Sequence, residues 1–248
     1  MTDDNALPVR DGAASRWKAI LVCIVIFALA MGLEEAVAVY APPFTSVVPM
    51  PTGAPALWWK IDRELTLSGT ADLIGAILPV WLYLLITGRK LRSLGFDRAG
   101  TAPAWIVVVA AQALLLYSDV KMGPLGRVRF GFDAYVVYSS AFIGLSAAFA
   151  EETLFRGFFM EELRRGGFNT AWQVVISMVL FGLAHYSWVS GPYGWTVPVF
   201  TGLVGGFWSL VYAFGGRSLW PVLAAHVVND AILIPAVYYF MLSQAAPS

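Results

Sequence analysis

Three short stretches of this sequence set carboxylates and imidazoles inside long apolar runs. They are Ala150-Glu151-Glu152-Thr153-Leu154-Phe155-Arg156, Phe181-Gly182-Leu183-Ala184-His185 and His226-Val227-Val228-Asn229-Asp230. The chain's only two histidines, His185 and His226, both belong to them. An ionisable side chain inside an apolar spanning helix costs about 2.5–3.5 kcal/mol on insertion scales, so each is a functional candidate by default. Glu152 and Arg156 stand four residues apart on one helix face and can pair, while Glu151 points about 100° away and is left free for chemistry. The plainer alternative is a structural ion-pair cluster of all three. The other acidic pairs, Glu34-Glu35 and Glu161-Glu162, read as helix-end or solvated charges.

His185 follows Phe181 by four residues, so the ring can pack beneath the imidazole and restrict its rotamer. Alone, such a histidine is more often a satisfied core residue. His226 and Asp230 repeat the four-residue spacing, which lets the carboxyl group orient the imidazole; Asn229 lies about 60° off that face. A helix–helix hydrogen bond is the ordinary alternative there. Two histidines and two glutamates in three apolar helices are hard to attribute to packing alone. Glu151, His185 and His226 could also serve as divalent-metal ligands, since carboxylate and imidazole bind zinc, although H-E-x-x-H does not occur.

The elements that must position these groups are helices in lipid. The chain has 248 residues, 58% hydrophobic and 13% charged, with a mean hydropathy of +0.69. A soluble domain carries roughly 25% charged residues. Seven segments are apolar enough to cross a bilayer as helices, near 17–40, 67–88, 103–119, 134–160, 170–188, 196–214 and 219–241. The expected architecture is all-α: a polytopic transmembrane bundle of about seven spans with a central catalytic cavity. Residues 1–133 supply spans one to three, and 134–248 a core of spans four to seven. Residues 41–65, rich in proline and ending in a charged aromatic tail, read as a loop with an interfacial end.

Sixteen basic residues balance sixteen acidic ones, which gives nucleic acid no electrostatic purchase. Cys23, the single cysteine, can form no internal disulfide and is a poor nucleophile in its apolar run. Eight of the ten tryptophans fall near span ends, as interfacial indoles do; Trp81 and Trp208 do not. With the N-terminus inside, ten basic residues flank the cytoplasmic side and five the other, which predicts a cytoplasmic N-terminus and an outside C-terminus. A cleaved signal peptide over 1–30 is the rival reading of the first run.

As a trio, the motifs resemble the CAAX-protease and bacteriocin-processing family (CPBP), which includes the Ras-converting enzyme. Glu151, Glu152 and Arg156 match its E-E-x-x-x-R, Phe181 and His185 its F-x-x-x-H, and His226 and Asp230 its H-x-x-x-N/D; the likeness covers roughly 134–241. It implies a glutamate-dependent intramembrane endopeptidase without a cofactor. In it, Glu151 is the general base, His185 its partner, and His226 and Asp230 the oxyanion stabilisers. Glu152, Arg156, Phe181 and Asn229 are then structural or orienting. Asp230 departs from the family's frequent asparagine, since an ionised aspartate repels an oxyanion. It is either protonated, or orients His226, or yields the donor role to Asn229. The implied partners are membrane lipids and a peptide or membrane-anchored protein, in the cell membrane. A non-proteolytic scaffold or bacteriocin-immunity factor retaining the fold is the alternative from another class.

Overall fold

The computed structural model describes residues 13–40, 56–123, 126, 134–190 and 194–244. Among these residues the chain is helical and has no strand. Seven continuous helices follow one another: α1 (Ala13–Tyr40), α2 (56–87), α3 (Ala102–Met122), α4 (134–165), α5 (Thr170–Ala184), α6 (Thr196–Phe214) and α7 (Leu219–Gln244). Two of them change winding midway. In α2 a π-helical stretch, Leu73–Ile77, joins two α-helical halves, and in α4 another spans Glu152–Phe159. Such widened turns are frequent at functional sites, and the second of these carries Glu152 and Arg156, two of the three residues of the E-E-x-x-x-R motif.

Five helices, Ala13–Tyr40, Leu57–Thr87, Ala102–Met122, Thr196–Phe214 and Leu219–Met241, are long and apolar enough to cross a membrane. Their outward faces carry exposed Leu21, Ile24, Ile86, Ile106, Val109 and Phe214, a surface suited to lipid rather than water. Trp81 lies on that surface, whereas Trp208 is buried. Helix α4 is of another kind. Every residue from Glu152 to Leu163 is buried, so the charged second half of this helix runs through the interior, while Val137, Tyr138 and Leu145 of the first half are exposed.

Several boundaries differ from those expected. Helix α2 begins eleven residues before position 67, and residues 56–65 are helical rather than an interfacial tail. Trp58, Ile61 and Leu65 repeat on one face and pack on Ile143 and Ala147 of α4, and this burial outweighs the intervening charges. The proline-rich stretch 41–55 lies outside the described residues, as do 1–12 and the basic residues Arg10, Arg127 and Arg129. Helix α5 is shorter than expected. Asn169 caps its start, accepting from the Trp172 N–H at 3.0 Å, and His185 ends it.

These ends decide whether the three motifs share a level. Because α4 runs to Arg165, Glu151 lies roughly 21 Å from its end, close to the roughly 22 Å that α5 rises before His185. Helix α7 starts below the bundle's surface, with fully buried Leu219 against Gly157 and its N–H on the Gly95 carbonyl. Seven further residues then bring His226 level with Glu152.

Candidate active site

The centre forms where α4, α5 and α7 meet, and the close approach of α4 to α7 depends on Gly144. A Cβ at that position would stand 2.8 Å from both the Ala231 Cβ and the Val227 carbonyl oxygen, so only a residue without a side chain fits unless the helices part. Two turns further along α4, Glu151 and Glu152 face His226 and Asp230.

Glu152 is fully buried and holds two cationic partners on one oxygen. Its Oε1 accepts from Arg156 Nη1 at 3.0 Å and from His226 Nδ1 at 2.8 Å. The expected Glu152–Arg156 pair is therefore present, and it extends to α7. Arg156, with no exposed surface, also donates from Nη2 to the Gly205 carbonyl of α6 at 2.8 Å, and its guanidinium lies 4.5 Å over the Phe181 ring. A Cβ at Gly205 would meet the Phe181 ring at 2.6 Å and Arg156 Nη2 at 3.2 Å, so α6 approaches here through a bare backbone.

Phe181 is the common wall. Its ring packs against Phe155 at 4.9 Å, His185 at 5.0 Å and His226 at 6.2 Å. His185 does pack on Phe181, its ring tilted by 44°, and its Nδ1 lies 2.9 Å from the Phe181 carbonyl. A carbonyl only accepts, so Nδ1 carries the hydrogen and Nε2 keeps its lone pair in the neutral ring. His226 is bracketed differently: Nδ1 faces Glu152, and Nε2 lies 3.2 Å from Asp230 Oδ2 and 3.6 Å from Glu151 Oε2. Carboxylate oxygens only accept, so both ring nitrogens occupy donor positions. The other Asp230 oxygen accepts from Asn229 Nδ2 at 3.2 Å. Both of its oxygens thus face donors.

Glu151 stands apart. Its side chain is 21% exposed, and its Oε2 makes no hydrogen bond within the described residues, since 3.6 Å to His226 is beyond hydrogen-bond reach. His185 and His226 are both within electrostatic range of it. Among the described residues no group of three or more His, Cys, Asp or Glu side chains is disposed to hold a metal ion.

Two carboxylates that sequence reasoning set aside or passed over also reach this centre. Glu34 of α1 is within electrostatic range of Glu151, and Asp72 of α2 within range of Glu34, Glu151, Asp230 and His226. Asp72 immediately precedes the π-helical stretch of α2, as Glu151 precedes that of α4, and the two stretches pack together. An isolated aspartate in the second apolar run was the available signal. Glu161 and Glu162 need the same correction, for both are buried. Glu161 pairs with Arg217 at 2.6 Å and Arg164 at 2.8 Å, and accepts from the Tyr212 hydroxyl at 3.3 Å. Glu162 pairs with Arg89 and accepts from the Tyr83 hydroxyl at 3.0 Å. These links tie the motif-proximal end of α4 to α2, α6 and the turn before α7.

A polytopic helical membrane protein with a carboxylate–imidazole centre in its interior is the class that fold and site define. Residues 133–232 match the model of the type II CAAX prenyl endopeptidase Rce1-like family, and all seven residues of the three motifs fall within the matched segment. No curated protein and no solved structure matches the chain.

Proposed function

We propose that this protein is an intramembrane endopeptidase that hydrolyses a peptide bond of a membrane-associated or lipid-modified substrate with water activated by Glu151 and His185. The observation that carries the reading is the division among the carboxylates. Glu152 holds Arg156 and His226 on Oε1 and is sealed from the cavity, Asp230 faces Asn229 and His226, and Glu151 has the partly accessible side chain with no hydrogen bond to its Oε2. A water held by Glu151 and the His185 Nε2 lone pair loses its proton to that pair as its oxygen bonds to the scissile carbonyl carbon. The proton passes to the leaving amine as the C–N bond breaks. His226, held by Glu152 at Nδ1, shares its Nε2–H between Asp230 Oδ2, which orients the ring, and the developing oxyanion. Preorganised donors of this kind account for factors of about 10²–10³ in rate each.

The reaction in this reading needs no metal. A cation bound to Glu151, His185 and His226 would have to displace a carboxylate from a ring nitrogen of His226 and a proton from the imidazole. The purified protein should therefore keep its activity in excess chelator. In this reading the protein lies in the cell membrane with its N-terminus cytoplasmic, and cleavage occurs toward the cytoplasmic half of the bilayer. The test is comparative proteomics of membranes carrying wild-type protein or Glu151→Gln, at matched abundance. Peptide termini that depend on the glutamate support the proposal; identical termini in both would leave the fold a scaffold rather than a protease.

A further inference from the structure

A second, smaller apolar cluster lies away from the catalytic centre, where the start of α2 meets α4 and the end of α7. Trp58, Ile61 and Leu65 are buried there against Ile143 and Ala147, with Tyr238 and Tyr239 packed on them and the Trp58 and Tyr239 rings 4.9 Å apart. This cluster floors a groove of about 390 Å³ lined by Trp59, Lys60, Arg63, Glu64, Tyr238 and Met241. Its position in the membrane follows from the helices that form it. The charged turn Lys60–Glu64 precedes the apolar stretch of α2, and the apolar helix of α7 ends at Met241, so the groove sits at one membrane–water boundary.

Lys60 and Arg63 project one turn apart from the same helix, Lys60 exposed and Arg63 half-buried. Neither has a carboxylate within ion-pair distance among the described residues. Glu64, also at the rim, leaves one net positive charge on the lining. Two cations over an apolar, aromatic floor at headgroup depth match a phosphodiester attached to acyl chains. Arginine can take two phosphate oxygens at once, and lysine adds a point charge. The rim carboxylate accepts a hydrogen bond from a hydroxyl on the same headgroup. We propose that this groove is a binding site for an anionic phospholipid of the phosphatidylglycerol type, with its phosphate on Lys60 and Arg63 and its acyl chains along α2 and α7. Basic pockets between transmembrane helices hold anionic headgroups by the same physics.

The site is independent of the catalytic reading, and its test needs no activity. The protein, purified in an uncharged detergent, is titrated separately with phosphatidylglycerol, phosphatidylethanolamine and phosphatidylcholine, and inorganic phosphate is used as a competitor. Retained lipid is counted by native mass spectrometry, and the unfolding temperature is followed in parallel. Phosphatidylglycerol should be retained and raise the unfolding temperature. The double variant Lys60→Gln, Arg63→Gln should bind it about thirtyfold more weakly, whereas Arg63→Lys alone should keep most of the binding. Equal retention of phosphatidylcholine or phosphatidylethanolamine would overturn the proposal, because the charge of the headgroup would then select nothing. Displacement by inorganic phosphate would reassign the groove to a free anion. Undiminished binding by a folded double variant would remove the two cations from the site.

Discussion

Glu151 and Glu152 are neighbours in sequence with opposite duties in the structure, and substitution should separate them. Glu151→Gln should lower turnover by about 10²–10⁴, the range for a lost general base, while the protein inserts and accumulates normally. Glu152→Gln should reduce abundance as well, since it weakens the only carboxylate holding both Arg156 and His226, and breaking a buried pair costs about 3–5 kcal/mol. Equal loss of abundance in the two variants, measured by quantitative blotting of membranes, would contradict the division. Asp230 invites a sharper test. Both of its oxygens face donors, which in the proposed mechanism makes it an acceptor that orients His226, and Asp230→Asn should then fail nearly as badly as Asp230→Ala on a cleavable peptide at every pH. An active asparagine variant would return Asp230 to the oxyanion as a neutral donor. At this scale the three motifs were legible because charge inside an apolar run is conspicuous. The bond from Glu152 to His226 was not, because it joins residues 74 apart and depends on how two helices dock. Glu34 and Asp72 were missed for the same reason.

Helices position these residues through contacts that leave faint marks in sequence. Hydropathy located all seven helices, and it misjudged the start of α2, where charged residues interrupt a buried face, and the end of α4, where Glu161 and Glu162 resemble a solvated terminus. What holds those two inside is a set of ion pairs with Arg89, Arg164 and Arg217, joined by hydroxyl donors from Tyr83 of α2 and Tyr212 of α6. Arg217, the one described non-glycine residue at positive φ (54°), is held in that turn by Glu161, Gln173 and the Tyr212 ring. Burial pushes the Glu161 carboxyl up, but Arg217 and Arg164 outweigh it and hold it below the ordinary glutamate range. A carboxyl depressed in the folded state adds stability that is complete above its unfolded value of about 4.3 and is lost as pH falls through its folded value. The wild-type unfolding temperature should therefore drop on acidification below about pH 4.3, and Arg217→Met, already less stable near neutrality, should show a smaller further drop. Parallel curves for the two proteins would remove Glu161 from the account. Helix docking itself is probed at Gly144, where leucine must push α7 from α4. Gly144→Leu should abolish cleavage although residue 144 touches none of the catalytic groups, and a fully active variant would mean that α7 can repack.

For the molecule as a whole, the open quantity is how often the chain crosses the bilayer, because parity fixes which side each end occupies. Five helices are long and apolar enough to span unaided. Helix α4 is buried over Glu152–Leu163 and exposes Val137, Tyr138 and Leu145 in its first half, and in the proposed topology it crosses with its charges paired inside the protein. The deciding element is α5, whose 15 residues rise roughly 22 Å against a hydrocarbon core of about 30 Å. A 3-10 turn, Tyr186–Ser190, follows it, and α6 begins at Thr196. Because α5 packs closely along α6, it needs to reach only as far as the protein around it, and the bilayer can thin to meet a short span. Seven crossings then place the two ends on opposite sides, in agreement with the ten basic residues against five in the flanking segments. A reporter active only in the cytoplasm should accordingly work when fused within 89–101 or at 166–169 and fail at the C-terminus. A reporter active only outside should show the reverse. If α5 instead turns back within the membrane, the count falls to six, and the C-terminal fusion reports the cytoplasm while the 89–101 fusion is unchanged. That result would also move the groove at Lys60 and Arg63 and the end of α7 to opposite sides, although they touch in the folded protein. A cytoplasmic C-terminus would therefore contradict the packing of α2 on α7 as well as the charge rule, and an outside C-terminus is the outcome that both require.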